Sequence, residues 1–201
     1  MAFKYAIALT GGIATGKSSV ANIFESYGFS IVDADKIAHS VLQKHSKEIE
    51  ELFGSKYIEN GIVNRKALGG LIFSNRDAKL ALEKLLHPLI YEEIKEQSSL
   101  LDGEKNPYLV DIPLFFETNR YPIKESIVVY IPKELQIKRL IKRDKISKEL
   151  ALLRVEAQLD IEEKKQKATY LIDNQGDIKA LQQQCDRVKE KIIANYKKGN
   201  L

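Results

Sequence analysis

The stretch Gly11-Gly12-Ile13-Ala14-Thr15-Gly16-Lys17-Ser18 satisfies G-x-x-x-x-G-K-[ST] at every fixed position. Each fixed residue has a physical role. Gly11 and Gly16 let the backbone turn tightly and bring its N–H groups near phosphate oxygens with no Cβ in the way. Lys17 can reach the β- and γ-phosphates of a nucleoside triphosphate, and the Ser18 hydroxyl can ligate Mg²⁺. Gly12, Ile13, Ala14, Thr15 and Ser19 complete the cradle. The chemistry this implies is nucleotide binding through phosphate.

Carboxylates and guanidiniums that would suit phosphoryl transfer lie further along. Asp33-Ala34-Asp35 follows an apolar run, and one carboxylate can face the phosphate loop while the other caps the next helix. Asp33 is the candidate general base for an attacking hydroxyl, or the group that orients it. Such transfer depends mostly on in-line placement and on neutralising charge. Asp111, behind Leu109-Val110, is the candidate for holding Mg²⁺, with Glu117 as a rival. Arg139 and Arg143 are one helical turn apart, and with Arg154 they can clamp a triphosphate. The intervening segment Asp144 to Lys148 suits a lid that closes on ATP. His39, His45 and His87 lack metal-ligand spacing and no C-x-x-C is present, which argues against a zinc site. The lone Cys185 sits on an apolar helix stripe as an inert core thiol.

The elements that must position these groups follow from periodicity. Ala6 to Leu9 predicts a buried strand entering the glycine-rich loop. Val20, Ile23, Phe24 and Tyr27 predict a helix stopped by Gly28, and Phe29 to Val32 a second strand. Strand, loop, helix and strand make a βαβ unit with parallel strands, whose ligands sit beyond the strands' carboxyl ends. Lys36 to about Leu101 is mostly helical, with breaks expected at Asn60-Gly61, Gly69-Gly70 and Pro88, which disfavours helix at His87. Its length suggests an insertion that closes over a substrate. Strands are expected at Pro107 to Ile112, Ile127 to Ile131 and Tyr170 to Ile172. Helices are expected around Leu135 to Ile141, from a Ser147 cap through Arg154 and Gln158, and over Ile178 to Ile192.

With 201 residues, 44% hydrophobic and 30% charged, the chain has the composition of a globular protein with one well-buried core. A formal net charge of +4 suits polyanionic small substrates, and no basic stripe interleaved with aromatics points to nucleic acid. The apolar start is a core strand in character, no run approaches a membrane span, and the single cysteine fits a reducing cytosol. A cytoplasmic location is expected.

From end to end the chain resembles the dephospho-coenzyme A kinase family. The resemblance is carried by Leu9 to Ile13 with Gly16-Lys17-Ser18, by Asp33-Ala34-Asp35 with Ile37-Ala38, and by Arg65, Leu68 and Phe73. It continues in His87-Pro88, Pro113-Leu114-Phe115-Phe116-Glu117, Gln136 with Arg139-Leu140, Arg143-Asp144, Arg154 with Gln158, and Ile172-Asp173-Asn174. It implies an α/β, three-layer P-loop kinase fold with a central parallel five-stranded sheet. The parts would be a nucleotide core (about 1–35, 106–138 and 168–201), a helical substrate subdomain (about 36–105) and a helical lid (about 139–167). The implied reaction is ATP-dependent phosphorylation of the ribose 3′-hydroxyl of dephospho-coenzyme A, with Mg²⁺, by a monomer or weak homo-oligomer. In that reading Lys17, Asp33, Arg139 and Arg143 are catalytic. Gly11 to Ser19, Arg143 and Asn174 bind nucleotide, and Ser18 and Asp111 hold metal. Asp33, Asp35, Arg65, His87, Leu114, Phe115, Glu117 and Arg154 bind the acceptor. Two positions depart from the pattern: Ala14, where the family usually has glycine, and His39, where arginine is common. A shikimate-type kinase is the nearest competing expectation, and a nucleotide-dependent switch a more distant one.

Overall fold

A computed structural model describes residues 2–199 and divides them into two compact units, one of residues up to Val32 with those from Ser98 onward, the other Asp33–Gln97. In chain order the elements begin with β1 (Ala6–Gly11), α1 (Lys17–Ser26), β2 (Ile31–Asp33), α2 (Ala34–Lys44) and α3 (Ser46–Phe53). A short hairpin, β3 (Ile58–Glu59) and β4 (Ile62–Val63), leads to α4 (Arg65–Ser74) and the long α5 (Arg76–Gly103). Then come β5 (Tyr108–Asp111), α6 (Phe115–Thr118), β6 (Glu125–Tyr130), α7 (Lys133–Asp144), α8 (Lys148–Glu156), α9 (Ile161–Lys167), β7 (Tyr170–Asp173) and α10 (Ile178–Lys197).

The first unit is built on a five-stranded parallel sheet of order β2-β5-β1-β6-β7. Leu9 lies opposite both Asp111 of β5 and Ile127 of β6, so the carboxyl ends of three strands converge beside Gly11. Strand β6 shows how a doubly covered sheet uses its period of two. Ile127 and Val129 pack with Val20 and Phe24 of α1 and with Leu181, Cys185, Val188 and Ile192 of α10. Val128 and Tyr130 face the other way, onto Ile161 of α9 and Phe116 of α6. Helices on both faces give the three-layer α/β architecture.

Helices α7 and α8 form a smaller cluster of their own, in which Leu140, Ala151 and Val155 are buried with Ile13 and Ala14 of the phosphate loop packed against them. Ser147 caps α8, its hydroxyl accepting from Leu150 N at 3.2 Å. That helix ends at Glu156, so Gln158 lies beyond it rather than on it as the spacing had suggested.

The second unit is helical with one departure. Asn60 (φ 52°) and Gly61 (φ 78°) both take left-handed backbone, and Ile58 pairs with Val63 across them. This is the tight hairpin that Asn-Gly favours, where the sequence suggested only a break between helices. Gly69 and Gly70 do not break the chain either. They lie inside α4, which Asn64 caps by accepting from Ala67 N at 3.0 Å and which buried Leu68 anchors. Pro88 lies within α5, which continues through His87. A proline removes one helical hydrogen bond at a cost of about 3 kcal/mol. Buried Leu82, Leu86 and Ile94 hold the helix on both sides of it.

Candidate functional site

The phosphate loop joins β1 to α1, and the side chains of Asn174 and Gln158 hold its backbone from outside, the first of them braced in turn by Arg139. Asn174, buried just past β7, donates its amide to Thr15 O at 2.7 Å, and Arg139 of α7 donates to Asn174 O at 2.8 Å. Gln158 accepts from Ile13 N at 2.7 Å. The Thr15 hydroxyl closes a turn onto Gly12 O at 2.8 Å. Because C=O and N–H of a trans peptide point in opposite directions, holding Thr15 O toward Asn174 turns the Gly16 N–H the other way. Gly16 (φ 90°) precedes α1, which starts with no side-chain cap. The amides at that terminus, with the helix dipole behind them, form an anion site. Gly12 has no room for a side chain, since a Cβ there would run into the Gln136 amide, itself donating to Ile131 O at 3.2 Å.

Of the sequence-derived candidates of the first unit, Asn174, Arg139 and Asp111 are tied to this loop by hydrogen bonds. Lys17 Nζ donates to Asp111 Oδ1, joining the loop to the end of β5, and the Ser18 side chain is exposed. Leu114 is exposed and Phe115 buried in the segment after β5. Arg143 and Arg154 both engage Asp144, at 2.7 and 2.8 Å. The Arg143 guanidinium beside Asp144 holds that carboxyl below its usual range, with Arg154 adding to the effect.

Within the second unit, Asp33 ends β2 and is itself the cap of α2, its Oδ1 accepting from Lys36 N at 2.9 Å. The expectation that one of the two carboxylates caps is met by Asp33, the one assigned to the base, while Asp35 lies exposed in the first turn. Arg65 opens α4 and is exposed, and half-buried His87 lies in α5. His39 is exposed on α2.

Sequence reasoning passed over Lys164. It is fully buried on α9, donates to Gly11 O at 3.0 Å and Pro113 O at 3.4 Å, and pairs with Glu117 Oε1 at 2.7 Å. Burial pulls its ammonium below the usual lysine range, while Glu117 opposes that shift. In the run Glu162-Glu163-Lys164-Lys165-Gln166-Lys167 nothing sets it apart by type. The available signal was its spacing of three from buried Ile161, which puts both on one helix face.

A parallel sheet covered by helices on both faces, whose first strand feeds a phosphate loop at a helix N-terminus, defines the P-loop nucleotide-binding class. The sequence model of the family described as dephospho-CoA kinase matches residues 5–180. A curated dephospho-CoA kinase from Sulfurimonas denitrificans is 54% identical over 196 residues, covering 98% of each chain. Among solved structures, dephospho-CoA kinase from Campylobacter jejuni superposes with a TM-score of 0.73 at 39% identity, covering 95% of this chain and 98% of that one. TT1252 from Thermus thermophilus gives a TM-score of 0.80 at 31% identity, covering 94% and 96%. This chain belongs to the dephospho-CoA kinase family. The shikimate-type and switch alternatives fall with that membership.

Proposed function

We propose that this protein transfers the terminal phosphoryl group of ATP to the ribose 3′-hydroxyl of dephospho-coenzyme A, giving coenzyme A and ADP in the last step of coenzyme A synthesis. The observation that carries the reading is the braced phosphate loop, with Lys17 and the uncapped start of α1, in a chain matched along residues 5–180 by that family.

In the reaction the acceptor oxygen forms a bond to the γ-phosphorus as the bond to the β,γ-bridging oxygen breaks, and ADP leaves. The amides of Gly16, Lys17 and Ser18 hold phosphate oxygens, and the Lys17 ammonium exchanges Asp111 for the triphosphate. Asp33 takes the hydroxyl proton on the carboxylate oxygen not held by Lys36 N. Arg139, Arg143 and Arg154 offset negative charge on the transferred group and on ADP. Within the lid expected over about 139–167 it is α7 and α8 that move, because α9 packs on the sheet with Ile161 and Lys164 buried. Asn174 supports the nucleotide loop through Thr15. Asp35, Arg65, His87, Leu114 and Phe115 belong to acceptor binding. Glu117, engaged by Lys164, shapes that segment rather than holding a cation.

The donors at Ser18 and Asp111 fit Mg²⁺. Both are hard oxygens, and no group of three His, Cys, Asp or Glu residues among those described could enclose a metal. Mg²⁺ needs no such cage, because it keeps water and takes substrate phosphates as ligands. When bound there it neutralises charge on the β- and γ-oxygens. The same reading places the enzyme in the cytoplasm as a monomer or weak homo-oligomer. No described helix is long and apolar enough to cross a membrane.

Acceptor competition tests the assignment. Remote parts of dephospho-coenzyme A can supply binding energy that positions the 3′-hydroxyl, which adenosine and shikimate lack. Presented together at equal, subsaturating concentration, with products identified by mass, dephospho-coenzyme A should win in kcat/KM by at least about a hundredfold, or roughly 2.7 kcal/mol. Comparable phosphorylation of shikimate or adenosine would overturn the reading.

A further inference from the structure

Strands β1 and β5 are neighbours in the sheet, and their chains part at the carboxyl edge. Past Gly11 the first becomes the phosphate loop, and past Asp111 the second becomes the Pro113 to Glu117 segment. One ammonium sits in the fork between them. Lys164 Nζ donates to Gly11 O on one branch and to Pro113 O on the other, and its charge is met by Glu117 four residues further along the second branch. Thr10 Oγ1 reaches the same Pro113 carbonyl at 3.0 Å, while the Glu117 oxygen bound to Lys164 also accepts from Leu159 N at 3.1 Å.

We propose that Lys164 is a positioning residue for phosphoryl transfer, setting the separation between the donor-binding loop and the segment after β5 by holding a carbonyl from each. The proposal deepens the phosphotransferase reading and rests on it. Four features carry it. The ammonium is completely buried, it spans 153 residues of sequence to reach Gly11, its hydrogen bonds go to backbone on both branches, and a carboxylate neutralises it. A lysine serving only to fill the core would be replaced at no loss by an apolar residue, because a buried ammonium is expensive to desolvate. What an apolar residue cannot do is donate to two carbonyls at once. In-line transfer is sensitive to displacements of about 1 Å, which can cost on the order of a hundredfold in rate.

The test uses the full-length enzyme with Lys164→Met and the double variant Lys164→Met, Glu117→Gln. Methionine keeps the length without the charge, and glutamine keeps the acceptor for Leu159 N while removing the carboxylate stranded by the first change. Tm, ATP affinity by calorimetry, and kcat with dephospho-coenzyme A are measured together. The double variant should regain most of the Tm lost in the single one, yet both should show kcat lower by roughly thirty- to a hundredfold, with ATP affinity within about threefold of the parent. A double variant with both Tm and kcat restored would reduce Lys164 to a stabilising ion pair and overturn the proposal. So would failure of both variants to fold, or a kcat loss that merely follows lost ATP binding. An inactive parent enzyme would instead sink the phosphotransferase reading itself, so the two failures are distinguishable.

Discussion

Lys17 of the phosphate loop donates to Asp111 at the end of β5, with 17% of the lysine side chain and 9% of the aspartate side chain exposed. Lys17 opens α1 just past the loop that leaves β1, and Asp111 ends β5, the strand paired with β1, so the pair ties the helix start to the neighbouring strand. Lysine therefore has two anionic partners in the proposed cycle, and exchanging one for the other preserves its hydrogen bonding.

Lys17→Ala should lower kcat by at least about a hundredfold, the usual consequence of removing one donor to a charge that grows in the transition state. It also deletes a charge-assisted hydrogen bond worth about 1.5–3 kcal/mol. A Tm lower by roughly 3–10 °C should accompany the loss, with the fold retained. Calorimetry and turnover on one preparation check both. Near-normal activity in the folded variant would remove the loop from the mechanism.

Asp33 caps α2 and is the proposed base, two roles that substitutions can separate. Asn caps a helix about as well as Asp, whereas Ala forfeits the cap at about 1 kcal/mol. Asp33→Asn should therefore keep the parent Tm, and Asp33→Ala should lower it by a few degrees. Both should lose about 10²–10⁴ in kcat if the carboxylate takes the proton. A change confined to the KM for ATP would move Asp33 from proton transfer to metal holding.

Local chemistry with a strict spacing was readable from the sequence, and what depends on distant partners was not. The phosphate loop, the parallel βαβ start and the apolar stripe of α10 follow from residue types a few positions apart. The hairpin at Asn60-Gly61 carried an equally local signal, but it was outweighed by helical stripes on either side. Gly69-Gly70 and Pro88 misled because propensity acts per residue, while Leu68, Leu82, Leu86 and Ile94 bury whole helices. The braces on the loop were the least visible. Gln158 reaches across 145 residues, Asn174 across 159 and Lys164 across 153, and no periodicity records such contacts.

Stability should fall on the alkaline side. Burial pushes the Cys185 thiol up to about 12, and burial with the Glu125 carboxylate takes Tyr170 to about 12. A hydrogen bond to Glu162 carries Tyr130 to about 12. The unfolded values are about 8.5 for cysteine and about 10 for tyrosine. Above these the unfolded chain has released protons that the folded chain keeps, so stability is fully present below them and is lost as pH rises toward about 12. Lys164, shifted downward, works in the opposite direction but is a single group. The urea midpoint should decline from about pH 8 to about pH 11, and less steeply in Tyr170→Phe. A flat profile would contradict the burial of these groups.

The loop's two left-handed residues should respond unequally to removal or addition of a methyl group. Ala14 has φ 62° and Gly16 φ 90°. A left-handed alanine costs roughly 1–2 kcal/mol, so Ala14→Gly relieves strain. It also frees the unfolded chain by about 0.4–1 kcal/mol. The Ala14 methyl packs toward Leu140, Ala151 and Val155, a contact that glycine gives up. These terms nearly cancel, and Ala14→Gly should leave Tm within a few degrees of the parent. Gly16→Ala has no such compensation. It adds the left-handed strain and drives a Cβ into the Asn174 amide that holds Thr15 O. Losing that hydrogen bond adds about 1 kcal/mol to the strain, and together they should lower Tm by roughly 5–10 °C. Because Asn174 aims the Gly16 amide, the KM for ATP should rise at the same time. Thermal melts and ATP titrations of the two variants side by side provide the check. Equal, small effects at both positions would mean that the loop's phosphate-binding shape does not depend on the Asn174 brace.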